Sequence, residues 1–289
     1  SLDISPRNGI VVNPIYNTSP TTTQLYFPLE YRIIFQYFPI DKTDIKASNK
    51  RLITSLENGQ NGLLLDFKRN DWNLNELEIL FENIHLDYIH TEFFETNEST
   101  KINLENYIST HYAELTWEHC FFNEQVHCLS DKNFVSSAAD FIQNYKEEKA
   151  FVFIELSGDY FWDISKIRAF KTLLYQHLKL DNQKYHIIIV GETTRENKST
   201  DKLENNILKL TTEAMSAMIG GCDGLWIRPF NENYDEAFSS RISRNIFHLM
   251  QEESYMHLVN DVSSGSYFIE NYTEQIARQI YAEFKTLNS

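Results

Sequence analysis

The chain has 289 residues, 42% hydrophobic and 14% aromatic, with nine glycines and six prolines; that is enough apolar material for a full core and excludes disordered and fibrous architectures. Lys and Arg number 26 against 41 Asp and Glu, a formal charge of -15, which repels phosphate backbones and anionic lipid, and no run of Lys and Arg offsets it. Three cysteines, Cys120, Cys128 and Cys222, read as reduced thiols, and apolar runs fall far short of the ~20 residues that span a bilayer, so a cytoplasmic protein with no nucleic-acid or membrane partner is expected.

The first 28 residues, with Pro6, Pro14, Pro20 and Pro28, read as an extended arm. Strands follow where apolarity is continuous, as in a parallel sheet covered on both faces: 31–37, 62–67, 86–94, a weaker fourth at 125–131, then 151–156, 185–190, 224–228 and a weaker eighth at 257–262. The stretch 95–124 is polar and ambiguous, with room for a helix over Leu104–Tyr112. Helical stripes run through Ile164, Ile167, Leu174 and Leu178, with Asp163 as N-cap; through Ile207, Thr211, Ala214, Met215 and Met218, stopped by Gly220-Gly221; and through 242–250 and 276–287. Eight units of roughly 32 residues point to a TIM (β/α)8 barrel over 29–289. A doubly wound sheet lacks its G-x-G-x-x-G fingerprint here.

Catalytic groups of such a barrel sit at the carboxyl ends of strands, here Asp66, Glu92, Asp131, Glu155, Glu192, Arg228 and Asp261. Glu155 and Glu192 follow adjacent strands, as paired hydrolase carboxylates or as rim caps and ion pairs. His111, His119-Cys120 and His127-Cys128 are zinc-type ligands without a compact spacing, so no metal is expected. Residues 193–202 form either a binding loop or a solvated turn, and Arg228-Pro229-Phe230 offers an anion clamp. Lys166, Arg168 and Lys171 are placed by helical period on an outer, solvated face.

Several runs resemble the methylmalonyl-CoA mutase family. NNILKLTTEAMSAMIGGCDGLWIRPFN (205–231) is similar to its NN/VN-x-x-R-TTxEAM-x-A-x-x-GG unit, and 240–284 to its ARIARN…QEES…GGSY pattern. FWDISKIRAFKTLLYQHL (161–178) resembles its FxxIAKLRAxRxLW helix, and GIVVNPIYN (9–17) its opening arm. The resemblance implies an adenosylcobalamin-dependent rearrangement of methylmalonyl-CoA and succinyl-CoA, with acyl-CoA threading a TIM barrel and a separate domain holding the corrin. That domain's D-x-H-x-x-G motif is absent from this sequence. Where the family carries a His and a TSG motif, this chain has Val190, then Glu192, Thr193 and Thr194; the H-T-N-S position is held by Trp226-Ile227-Arg228-Pro229, and the polar R-P-W-T-I-R-Q-Y run is reduced to Gln36 and Tyr37.

A valine cannot polarise a thioester carbonyl. The resemblance therefore implies no catalytic, cofactor or metal residue in this chain. Gln36, Tyr37, Val190, Glu192, Thr193, Thr194 and Arg228 become a remnant pocket, in a non-catalytic small subunit whose large partner carries adenosylcobalamin. The alternatives are a catalytic barrel served by a separate cobalamin-binding polypeptide, and an unrelated hydrolase using Glu155 and Glu192.

Overall fold

A computed structural model describes residues 10, 16, 32–112, 120–122, 126–145, 149–181, 186–231, 236–259 and 261–287. The expected arm lies almost wholly outside them. The described chain divides into two compact units, Ile33–Val126 with Lys149–Phe151, and the remainder.

In the first unit β1 (Ile33–Pro39), β2 (Gly62–Asp66), β3 (His90–Phe94) and β4 (Cys120–Phe122) lie in spatial order with every neighbouring pair parallel. They alternate with α1 (Ile45–Glu57), α2 (Leu74–Leu80) and α3 (Glu98–His111). Each helix starts where a side chain takes an orphan N–H: Asp44 for α1, Asn73 with Glu76 as a capping box for α2, Asn97 for α3. Phe38, Leu63, Leu65, Phe93 and Phe122 face these helices and pack on Leu52, Leu77 and Leu104, each buried side chain contributing about 1.5–3 kcal/mol.

The second unit contains β5 (Val126–Leu129), α4 (Phe134–Asn144), β6 (Lys149–Glu155, shared at its start), α5 (Tyr160–Asp181), β7 (His186–Glu192), α6 (Glu204–Gly220), β8 (Gly224–Trp226), α7 (Glu236–His248) with a π-helical extension over Leu249–Glu253, and α8 (Tyr267–Leu287). Its strands run in the order β8-β7-β6-β5. Alternating strands and helices in sequential order make this an α/β fold of the TIM-like (β/α)8 class.

Three expectations need correction. The fourth strand is Cys120–Phe122, so the 125–131 run supplies the fifth, and three residues between them leave no room for a helix. The eighth strand is Gly224–Trp226, whereas the described residues of 257–262 form turn and bend and no strand, with Leu258 and Val259 exposed. Asp163 is no N-cap: α5 begins at Tyr160, Asp159 accepts from the Trp162 N–H at 3.3 Å, and Asp163 reaches back to the N–H groups of Ser157 and Gly158 at 3.0 Å. The Gly220-Gly221 stop is observed, with Gly221 at φ 94°, left-handed, closing α6.

Candidate functional site

Alternation along β7 turns Val190 and Glu192 to one face and Gly191 to α6, where a Cβ on Gly191 would come within 2.6 Å of the Ala217 Cβ. Val190 is fully buried and brings no polar atom. Register pairs Val190 with Gly224 and Glu192 with Trp226. Just past β8, the Arg228 guanidinium donates to Glu192 and lies 4.0 Å from the centroid of the Trp226 ring. Burial raises the Glu192 carboxyl above its ordinary value, with Arg228 pulling the other way. Thr193 donates its N–H to the Trp226 carbonyl at 3.1 Å and accepts the Arg228 N–H on its hydroxyl at 2.9 Å. Trp226 also packs edge-on against Phe153, 5.5 Å between centroids. The structure thus joins Val190, Glu192, Thr193 and Arg228 in one cluster, in which Arg228 pairs with a carboxylate and stacks on an indole.

The loop after β7 is built rather than merely solvated. Glu213 of α6, almost fully buried, accepts from the Thr194 N–H at 3.1 Å, the Asn197 amide at 2.8 Å and the Lys198 ammonium at 3.1 Å. Asn206 accepts the Ser199 N–H at 2.7 Å and donates to the carbonyls of Ser199 and Phe230, both at 3.0 Å. Burial raises the Glu213 carboxyl and lowers the Lys198 ammonium. Between this loop and Arg228–Asn231 lies a cavity of about 450 Å³. Glu213 belongs to the TTEAM run and Asn206 to the NN run, so the motif itself was the signal for these two organising residues.

Of the two readings of Glu155 and Glu192, the contacts are those of rim caps and ion pairs and not of a free carboxylate pair. Glu155 accepts from the Ser130 hydroxyl at 2.8 Å and the Asp131 N–H at 3.1 Å, while Glu192 holds Arg228. The cations of α5 are the larger correction, because none is solvated. Lys166 and Lys171 are fully buried and Arg168 is 1% exposed, since α5 packs against both α6 and α8. Lys166 reaches Asp131 at 2.7 Å, Asp163 at 2.9 Å and the Glu155 carbonyl at 2.6 Å. Arg168 pairs with Asp261 and, at 2.9 Å, with Glu270; Lys171 donates to the Gly221 carbonyl at 2.6 Å and to Asp223 at 3.2 Å. Asp131 and Asp261, two of the strand-end acids, are therefore ion-pair partners of a buried helix.

In the first unit the two expected pocket residues lie on opposite faces of β1. Gln36 shares the face of Phe38 and accepts from the Ser55 hydroxyl of α1 at 2.9 Å, so it packs toward a helix instead of a pocket. Tyr37 points the other way, donates its hydroxyl to Asp66 and lies edge-on to Phe94 at 6.5 Å. On β3, Glu92 is fully buried with neither oxygen hydrogen-bonded, and burial raises its carboxyl well above the ordinary range against the pull of Lys149.

His119 lies outside the described residues; among them no three His, Cys, Asp or Glu side chains group as metal ligands. Cys120 and Cys222 are buried thiols pushed up to about 12, while Cys128 is exposed. No helix among the described residues is long and apolar enough to cross a membrane.

Comparison with known proteins adds the chain's relations. Residues 146–289 match the family model described as methylmalonyl-CoA mutase. Over 136 residues, 45% of this chain, it is 34% identical to the methylmalonyl-CoA mutase small subunit of Porphyromonas gingivalis, of which that stretch is 22%. It is 29% identical over 154 residues to the small subunit of Streptomyces virginiae, covering 48% of this chain and 24% of that one. With the small subunit of Propionibacterium freudenreichii subsp. shermanii the identity is 25% over 179 residues, 60% of this chain and 27% of the relative. The matched stretches thus span about a quarter of these relatives' lengths.

Proposed function

This chain belongs to the methylmalonyl-CoA mutase family through residues 146–289, and we propose that it is the non-catalytic small subunit of an adenosylcobalamin-dependent heterodimer whose large subunit interconverts methylmalonyl-CoA and succinyl-CoA in the cytoplasm. One observation carries the reading: β7 buries Val190, which brings no polar atom, at the position where the family resemblance implies a carbonyl-contacting His. Carbonyl polarisation needs a preorganised donor aimed at the oxygen, and a valine supplies none. The names of three relatives as small subunits support the same assignment.

The described histidines do not suit a corrin. His90 is buried on β3 and His127 is half-buried, while the exposed His85 and His111 lie just before β3 and at the end of α3. That is the side of a (β/α)8 unit opposite the carboxyl ends of the strands, where such folds do their chemistry. Cobalamin is accordingly assigned to the large partner, and no step is routed through it here.

Co-expression with a large, cobalamin-carrying mutase subunit of the same organism tests the reading. Co-elution on size exclusion is expected, with turnover from the large subunit and none from this chain alone. Elution as separate species, or turnover by the isolated chain, overturns it. Calorimetric titration of the isolated chain with succinyl-CoA is expected to show no micromolar binding.

The surface that the large subunit would cover is the segment after the π-helical turn. Tyr255, Leu258, Val259, Val262 and Tyr267 are all about half exposed or more, yet Arg168 holds this segment to the core through Asp261 and the Ser263 hydroxyl, the latter at 3.0 Å. Acidic Glu252 and Glu253 at its border, both exposed, favour a partner with an apolar centre and a basic rim. Leu258→Asp with Val262→Asp is expected to weaken co-elution by about tenfold or more while leaving the melting temperature of the isolated chain unchanged. Unaltered co-elution would place the interface elsewhere.

A further inference from the structure

The cavity beside the β7 loop has walls whose charge runs against the rest of the molecule. Arg195, Lys198 and Arg228 all line it, and among the described residues no Asp or Glu does, in a chain of net charge -15. Glu192 pairs with Arg228 and Glu213 with Lys198 from outside the lining. Cationic walls of this kind select an anion.

Arg228 supplies the recognition geometry. A guanidinium carries five N–H donors in a planar fork; one nitrogen of Arg228 donates to Glu192, and no other guanidinium hydrogen bond is formed among the described residues. Stacking on Trp226 fixes the plane of the fork, which lowers the entropy lost when an acceptor docks. Opposite, the Ser199 hydroxyl accepts the Lys202 N–H at 3.2 Å and keeps its own proton to donate. The loop that carries Ser199 is pinned by Glu213 and Asn206, so the walls are formed before any ligand arrives. Leu203, Pro229 and Phe230 complete the lining with apolar surface.

We propose that this cavity is a binding site for a small oxyanion-bearing molecule, a carboxylate or phosphate of a few carbons at most, gripped by Arg228 and Ser199 in the field of Arg195 and Lys198. A volume of about 450 Å³ lies in the small-ligand range of roughly 300–1,000 Å³. The site does not depend on the mutase assignment, because it requires only the isolated chain.

Isothermal titration of the full chain at low ionic strength, with inorganic phosphate and separately with succinate, tests it. Saturable binding of at least one is expected; phosphate alone marks a phosphate site, succinate alone a carboxylate site, and both a general oxyanion site. Arg228→Gln is expected to weaken binding by about tenfold or more, through loss of a charge-assisted bidentate donor. Glu192→Gln is expected to strengthen it, by releasing the fork from its internal acceptor. Arg278→Gln, on the exposed face of α8, is expected to change nothing. Should Arg228→Gln fail to fold, Ser199→Ala takes its place, with weaker binding expected. Absence of binding by both probes up to about 10 mM overturns the proposal, as does equal binding by parent and Arg228→Gln.

Discussion

Lys171→Met is expected to cost about 3–5 kcal/mol of folding stability, because it removes one member of a buried ion pair and strands the other. The Lys171 ammonium is fully buried, and its partner Asp223 is equally inaccessible. Asp223 uses one oxygen for Lys171, at 3.2 Å, and the other for the Ile189 N–H of β7, at 2.9 Å. Loss of Lys171 also leaves the Gly221 carbonyl, which caps α6, without its donor. Met fills much the same volume, so the deficit is electrostatic and not a cavity. Urea unfolding checks it through a lower midpoint at an unchanged slope. Lys132→Met, which breaks the exposed pair with Glu196, is expected to leave the midpoint essentially unmoved in the same assay, because solvent screens such a pair. Similar losses in the two variants would show that the α5 cations are not the buried struts described here.

Glu92→Gln is expected to flatten the fall in stability with rising pH, so that its advantage over the parent grows toward alkaline pH. Burial raises the folded-state carboxyl of Glu92 well above the ordinary carboxylate range. The folded chain therefore keeps a proton that the unfolded chain releases. Stability from this group is complete below the unfolded value and declines as pH rises toward the folded one. Gln carries no ionisable proton and removes that slope. Equilibrium unfolding at mildly acidic and mildly alkaline pH is the check: the parent loses stability across the interval through this group, and the variant does not. Parallel curves for the two proteins would mean that Glu92 is solvated or paired in the native state.

What the sequence made legible was set by burial. β1, β2, β6 and β7 announce themselves because strands covered on both faces are continuously apolar, and each lies within two residues of its expected start. β4 is only three residues long, too short for a pattern. The 257–262 run is apolar enough to suggest a strand, but hydropathy alone does not distinguish a buried strand from a surface held open for a partner. Gln36 and Tyr37 enter the pocket together through the resemblance, although a period of two puts consecutive residues on opposite faces. The α5 cations were misplaced for the converse reason. An amphipathic helix has one polar face, but Trp162, Ile164, Ile167, Ala169 and Phe170 surround this one with apolar side chains. A helix apolar all round is a buried helix, and its charges must then find partners inside. The cluster of Val190, Glu192, Thr193 and Arg228 is reached through the resemblance, and the same motif runs cover Glu213 and Asn206, whose part in shaping the adjoining loop helical periodicity alone does not reveal.

The three thiols equip the molecule with its own clocks. Cys128 is open to solvent, whereas Cys120 and Cys222 are each 1% exposed and held as S–H by pKa values near 12. Only the thiolate attacks an alkylating reagent, so the two interior sulfurs stay silent until their surroundings breathe. Cys120 belongs to the first unit and Cys222 to the second. In a Cys128→Ser background, mass-resolved alkylation of the two is expected to follow two separate rates if the halves open independently, and one shared rate if they come apart together.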